Sequence, residues 1–384
     1  MEVPQGYKLT SIGLIPEGWK VKRVDEFAPL QRGFDLPINN IVSGNFPVVF
    51  SNGILKFHNE FKAKAPGIVT GRSGTIGKVF YITEDYWPHN TSLWVTNFID
   101  SEPKYVYFLF NYLNFNRFGS GSGVPTLNRN DVHPYKIPLP PLPEQQKIAE
   151  ILSAWDKAIE LCQKTIEVLK QRNKGLAQQL LSGKINNKNE EDQLKDYHII
   201  GKYVKEVSKR NTALQEKRIL SVTNSRGFIN QSEQFGRELA SADLSNYKIV
   251  KKGQFAYNPS RVNVGSLDML RTFDAGVLSP MYVVFEVTSK DLIPEFLYYH
   301  LKTYWFIGHI PMFVQGSVRD TLSFDGFSGM KFYIPTLEEQ KKIVTILDAA
   351  ASELKHYEEK LTNLKLQKKG LMQQLLTGKV RVRI

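Results

Sequence analysis

The sequence predicts an α+β chain built as globule, rod, globule, rod: two strand-rich globules alternate with two long helices that pair as an antiparallel coiled coil about a pseudo-twofold axis. Three observations lead there. A stretch of 46 residues is written twice, the apolar positions inside both copies recur at coiled-coil spacing, and the text between the copies alternates β-branched and aromatic residues with Gly, Asn and Pro breaks.

The first copy, Leu139 to Lys184, reads LPPLPEQQKIAEILSAWDKAIELCQKTIEVLKQRNKGLAQQLLSGK, and the second, Ile334 to Lys379, reads IPTLEEQKKIVTILDAAASELKHYEEKLTNLKLQKKGLMQQLLTGK. Aligned without a gap, about 20 of the 46 positions are identical. In the first copy Ile148, Leu152, Trp155, Ile159, Cys162, Ile166, Leu169, Asn173, Leu176 and Leu180 fall at alternating steps of four and three. The second copy keeps the register with Ile343, Leu347, Ala350, Leu354, Tyr357, Leu361, Leu364, Lys368, Leu371 and Leu375. Each seam has one polar break, Asn173 and Lys368, at equivalent places where polar side chains set register at some cost in stability. About 38 residues at 1.5 Å rise make a rod of ~57 Å. A one-sided apolar stripe needs a cover, and two rods of the same register supply it to each other.

The ends carry helix punctuation. Pro143 suits a first turn, Thr336 with Glu339 forms a capping box, and Gly183 and Gly378 stand just past the last periodic leucines. The chain therefore divides into 1–140, 141–186, 187–335 and 336–384.

Composition narrows the function. The 384 residues carry a formal charge of +12, which favours a polyanionic partner. The excess is spread over all four segments, so it points to folded basic surfaces rather than a basic tail. A single cysteine, Cys162, lies on the helical seam, which makes it a packing residue and fits a reducing, cytoplasmic setting. No stretch reads as a membrane span or a signal peptide.

From Trp19 to about Lys136 the segments WKVKRV, FPVVF, GIVTGRSGTIGKVFYI and TSLWVTNFI read as strands, and PKYVYFLFNYL (Pro103 to Leu113) as a short helix with Tyr105, Phe108 and Tyr112 on one face. The second globule retells this. YVKEV (Tyr203 to Val207) stands for WKVKRVDEF, KKGQFAYNPSRVNVGS (Lys251 to Ser266) for KAPGIVTGRSGTIG, and PEFLYYHL (Pro294 to Leu301) for PKYVYFLF. If the rods are antiparallel, two different heads occupy opposite ends of one bar, which at 3.4 Å per base pair spans at most about 17 base pairs of DNA.

Catalytic signatures are lacking. GRSGTIG (Gly71 to Gly77) has no P-loop lysine and reads as a tight β-turn; YNPSR (Tyr257 to Arg261) has Ser260 where an amino-methyltransferase motif needs its second proline. No His, Cys or carboxylate spacing suits a metal, and His133 and His300 read as structural. The turns instead offer Arg, Asn, Ser and Lys, the residues that contact base edges and phosphates. In the first globule these are Arg72, Ser73, Lys78, Asn90, Thr91, Ser92, Asn128 and Arg129; in the second, Arg226, Asn258, Ser260, Arg261, Asn263 and Arg319. Singly, each is better explained as a solvated or backbone-capping turn residue than as a base reader. Their clustering in corresponding loops favours a nucleic-acid surface.

On PLPPLPEQQKIAEIL and IPTLEEQKKIVTIL at the rod entrances, KGLxQQLLxGK closing both rods, GRSGTIGKV and YNPSRVNVGS in the globules and the opening PEGWKVKRV, the chain resembles the specificity subunit of type I restriction-modification systems over nearly its whole length. The resemblance implies two mixed α/β target-recognition domains, each reading half of a split double-stranded DNA sequence. It implies helices that dock two modification subunits, which bind S-adenosylmethionine and methylate adenine, with restriction subunits as further partners. This chain itself would hold no cofactor. Scaffold and docking fall to Gln145, Ile148, Leu152, Trp155, Ile159, Leu169, Leu176 and Leu180 and to Gln340, Ile343, Leu347, Leu354, Leu361, Leu364, Leu371 and Leu375. The alternatives are a protein-protein scaffold with two client-binding globules, and a self-contained enzyme with an unfamiliar site.

Overall fold

The computed structural model describes residues 3–120, 123–182, 197–235, 243–314 and 321–384. The chain folds as two compact units, one of residues 1–164 with 359–384 and the other of residues 165–358. The long helices Leu142–Leu181 and Leu337–Leu376, 40 residues each, therefore give one half to either unit. Thr336 caps the second, its N–H donating to Glu339 Oε2 at 3.2 Å while Glu339 N–H donates to Thr336 Oγ1 at 3.4 Å, the box read from the sequence. Gly378 (φ +72°) ends it: a Cβ there would meet Pro16 Cδ at 2.6 Å. Gly183 lies outside the described residues.

The first unit is built on an antiparallel sheet in the order Leu30–Arg32, Ser92–Val95, Gly67–Gly71, Val79–Ile82. Gly67–Gly71 is buried along its whole length, as an apolar run without alternation predicts. The Pro103–Leu113 helix has the predicted bounds, with Pro103 in its first turn and Glu102 accepting from Lys104 N–H. It buries Tyr105, Val106, Phe108, Leu109, Phe110 and Leu113; Tyr112, expected on one face with Tyr105 and Phe108, is exposed near the end of the helix while those two are buried. These side chains join Trp19, Phe27 and Phe115 in a core that also takes in Ile148 and Leu152 from one long helix and Leu375 and Leu376 from the other. At the edge of that core Glu144 is wholly buried, and it accepts Trp19 Nε1–H at 2.9 Å and Arg381 Nε and Nη2 at 2.7 and 2.8 Å. A buried carboxylate persists because it is fully paired.

The second unit repeats the sheet order with Val204–Glu206, Val283–Val287, Phe255–Tyr257 and Leu267–Met269, again antiparallel. Phe255, Tyr257, Phe285, Phe296, Phe327 and Phe332 fill its core together with Leu181, Ile343 and Leu347 of the long helices. The matched sheets correct one expected equivalence. Val204–Glu206 occupies the place of Leu30–Arg32, whereas the counterpart of Lys20–Arg23 is Tyr197–Ile199: the former pairs with Lys136–Leu139 and the latter with Lys331–Tyr333. YVKEV holds the second of two short β-segments separated by a single 3-10 turn, Ile200–Lys202, and the first of them is the counterpart. The helix Pro294–Leu301 and the central-strand equivalence stand as predicted. His300 is packed among Phe296, Trp305 and Phe332, a structural histidine.

Within each unit the helix halves run antiparallel, since residue numbers fall on one as they rise on the other. In the first unit Lys368 Nζ meets Asp156 Oδ1 at 2.5 Å; in the second Lys170 meets Glu358 at 3.1 Å and Arg172 meets Glu353 at 2.7 Å. All the predicted seam positions are buried or half-buried, Cys162 among them. The leucines dominate the energetics, because a buried Leu contributes about 1.5–3 kcal/mol and a half-exposed ion pair about 0.2–1 kcal/mol.

Candidate nucleic-acid interface

In the first unit three loops are stitched by their backbones into one concave surface. Arg72 and Ser73 N–H donate to Thr91 O at 2.9 and 3.1 Å, Leu127 N–H to Arg72 O at 2.8 Å, and Gly74 N–H to Pro125 O at 3.0 Å. A fourth segment joins through Gly33, whose N–H donates to Ser92 O at 3.0 Å, while Phe34 N–H donates to Pro88 O at 2.8 Å. Only glycine fits at 33: a Cβ would stand 2.2 Å from His89 O. The resulting cleft of about 590 Å³ is lined by Gln31, Arg32, Asp35, Arg72, Thr126, Asn128 and Arg129, with Leu93 and Leu127 among its apolar lining.

Of the residues proposed from sequence, Arg72, Asn128 and Arg129 line this cleft. Arg72 Nη1 donates to Asn90 O at 3.4 Å, and Asn128 Oδ1 accepts from Asn130 N–H at 3.0 Å, capping the short helix Arg129–Val132. Asn90 Nδ2 donates to Asp35, and Thr91 Oγ1 accepts from Ser51 N–H at 3.3 Å. Ser73 is half-buried in the Gly71–Gly77 turn, and Lys78 is exposed, its carbonyl holding Thr70 Oγ1 at 2.8 Å. Ser92 is a correction. It is wholly buried and its hydroxyl donates to His89 O at 2.7 Å, so it braces the strand and cannot reach a ligand.

The second unit has a smaller cleft of about 360 Å³ lined by Asn224, Arg226, Asp268, Arg271, Tyr298 and Lys302, among others. The Arg271 guanidinium lies 4.1 Å over the Tyr298 ring. Lys302 Nζ lies 3.5 Å from Asp268 Oδ1 and donates to Leu267 O at 2.5 Å; burial holds its pKa below the usual lysine range, with Asp268 opposing that shift. Of the predicted residues Arg226 lines this cleft. Asn258, Ser260, Arg261 and Asn263 form the loop after Phe255–Tyr257, where Asn258 Oδ1 accepts from Ser260 N–H at 3.1 Å and Arg261 and Asn263 are exposed. The far end of that loop, Gly265, lies against Asn224 at the cleft rim. Arg319 lies outside the described residues.

Sequence reasoning missed Gln31, Arg32 and Asp35 in one cleft and Arg271 and Lys302 in the other. Arg32 closes the strand Leu30–Arg32 and is followed by Gly33, so a cation next to a glycine at a strand end is the local signal that could have found it. Among the described residues no group of three or more His, Cys, Asp or Glu is placed to hold a metal ion, and no helix is long and apolar enough to cross a membrane.

The glutamines assigned to scaffold and docking need a second correction. Gln145 is buried: its Oε1 accepts from Glu102 N–H at 2.9 Å and its Nε2 donates to Asp100 O and Pro140 O at 3.2 and 2.9 Å. Gln340 does the same with Ile293 N–H, Asp291 O and Pro335 O, each at 2.8 Å. Both fasten a globule to a helix start and are closed to a partner. Ile148, Leu152, Leu169, Ile343, Leu347 and Leu375 are buried as well.

Residues 16–171 and 179–365 match the family described as type I restriction modification DNA specificity domain. The MjaVIII type I restriction enzyme specificity subunit of Methanocaldococcus jannaschii is 27% identical over 285 residues, covering 68% of this chain and 66% of the relative. The MjaX specificity subunit of the same organism is 24% identical over 99% of this chain and 97% of the relative. Among solved structures, the type I restriction-modification S subunit from M. genitalium has a TM-score of 0.60 at 15% identity, covering 96% of this chain and 98% of its own. A chain from a study of complex assembly and conformational transition in the type I R-M system has a TM-score of 0.55 at 14% identity, covering 95% and 99%. With two matched stretches that together take in most of its length, the chain belongs to the type I restriction-modification DNA specificity family.

Proposed function

We propose that this chain is the non-catalytic reader of a bipartite double-stranded DNA target, each unit recognising one half-site with the stretch between them unread. One observation carries the proposal: two units of the same sheet order each present a cleft with three cationic side chains, Arg32, Arg72 and Arg129 in the first and Arg226, Arg271 and Lys302 in the second, on different parts of the common frame. A shared frame with unlike linings is what two half-sites of unlike sequence require. The chemistry is carried by partners. Modification subunits, two per reader, bind S-adenosylmethionine and methylate adenine; restriction subunits join the same cytoplasmic assembly. Because the seam side chains are turned inward, partners meet exposed apolar residues of the helices such as Val168, Ile346 and Leu366.

The test is a gel-shift titration of the chain with its modification subunits on specific and scrambled duplexes. Sequence preference with affinity falling steeply as salt rises supports the proposal; equal binding to both duplexes with a flat salt response overturns it.

A further inference from the structure

We infer that Asp35 is a base-selecting residue of the first unit, its carboxylate accepting a hydrogen bond from the N4 amino group of a cytosine. The inference rests on the reading of this cleft as a DNA surface and goes beyond it by naming the side chain and the base.

Asp35 is the one acid in a lining that also holds Arg32, Arg72 and Arg129. A carboxylate facing DNA repels phosphates whatever the sequence, so it weakens all binding unless a base donor answers it. Its position is rigid. Gly33 is pressed against the His89 carbonyl, Phe34 N–H is bonded to Pro88 O at 2.8 Å, and Trp87 Nε1–H reaches Phe34 O at 3.4 Å. Oδ1 is taken by Arg32 Nη2 at 2.8 Å and by Asn90 Nδ2, and among the described residues Oδ2 accepts nothing. The side chain is 66% exposed. The cleft therefore offers a fixed acceptor with one oxygen free.

Cytosine N4–H₂ is the base donor that suits it. Adenine N6–H₂ stands beside the N7 acceptor, which would face the carboxylate, whereas cytosine has no acceptor next to its amino group on the major-groove edge. Arg32, held by the same carboxylate, turns its remaining N–H groups towards the O6 and N7 of the paired guanine. Asp268 in the second unit is not equivalent. Its Oδ2 already accepts Phe228 N–H at 3.1 Å, Lys302 lies 3.5 Å from Oδ1, and the side chain is only 13% exposed.

The experiment uses the full chain with its modification subunits, after the recognised bases have been read from host methylation. Affinities for duplexes carrying 2-pyrimidinone, which lacks the amino group, in place of each half-site cytosine are compared for the natural chain and Asp35→Ala. At one C·G pair of one half-site the natural chain should lose about 5- to 150-fold in affinity on removal of the amino group, and Asp35→Ala should lose nothing further. The inference is overturned if no half-site holds such a pair, if Asp35→Ala remains sensitive to the amino group, or if it binds all duplexes more tightly with preference unchanged. A natural chain without sequence preference would instead sink the underlying reading. Because Asp35 is exposed, Asp35→Ala should keep the thermal midpoint of the natural chain, and the two midpoints are compared alongside the affinities.

Discussion

Asn173 Nδ2 donates to the backbone carbonyl of Ala350 at 2.8 Å across the helix pair of the second unit. Its equivalent, Lys368, meets Asp156 and lies 5.0 Å over the Phe108 ring in the first unit. Two polar breaks at one position of a duplicated seam thus serve different partners, and each ties one helix to a point on the other. Substituting Asn173→Ala should cost the second unit about 0.5–1.5 kcal/mol, read from urea unfolding, and leave the first unit's melting unchanged.

Leu169 is buried in the seam and Leu364 half-buried. Aspartate at either place puts a charge among apolar neighbours. Leu169→Asp should cost roughly 3 kcal/mol or more and Leu364→Asp less, because the second carboxylate retains water. Equal losses by denaturant titration would contradict the packing described.

Gln145→Ala leaves Glu102 N–H and Asp100 O without their side-chain partner, a loss of about 1–3 kcal/mol confined to the first unit. Hydrogen exchange should quicken around 100–106 and stay unchanged around 291–297, where Gln340 makes the corresponding bonds. Gln340→Ala should give the reverse pattern.

Burial lowers the His300 pKa to about 4, below the ordinary value of 6.5. Between these values the unfolded chain binds the proton and the folded one does not, so stability falls as pH drops from about 6.5 to 4. The loss approaches about 3 kcal/mol at the lower end. His300→Phe should flatten that slope in the second unit; an unchanged slope would show that other groups cause it.

What was legible in the sequence was what is local and periodic. The seam, the Thr336–Glu339 box, the Gly378 stop and the Pro103–Leu113 helix each depend on residues within a few turns of one another, so spacing alone reveals them. The clefts are not local. Arg72 and Asn128 meet Arg32 and Asp35 only because Gly33 lets two strand ends close on each other, a tertiary fact with no periodic trace. Ser92 went the other way: its neighbours Asn90 and Thr91 suggested an open turn, but the residue is already inside the sheet. Gln145 and Gln340 were recognised as a pair by duplication, yet repetition could not say whether they face a partner or the chain's own backbone.

The central claim is that each unit reads its own half of the target. Sequencing methylated adenines in host DNA, with the natural chain, Arg72→Ala and Arg226→Ala in turn, tests it most directly. The account predicts a two-part motif with an unread gap, relaxed in one part by Arg72→Ala and in the other by Arg226→Ala, each by about 1–3 kcal/mol of discrimination. A single continuous motif, or equal weakening of both parts by either substitution, would contradict it.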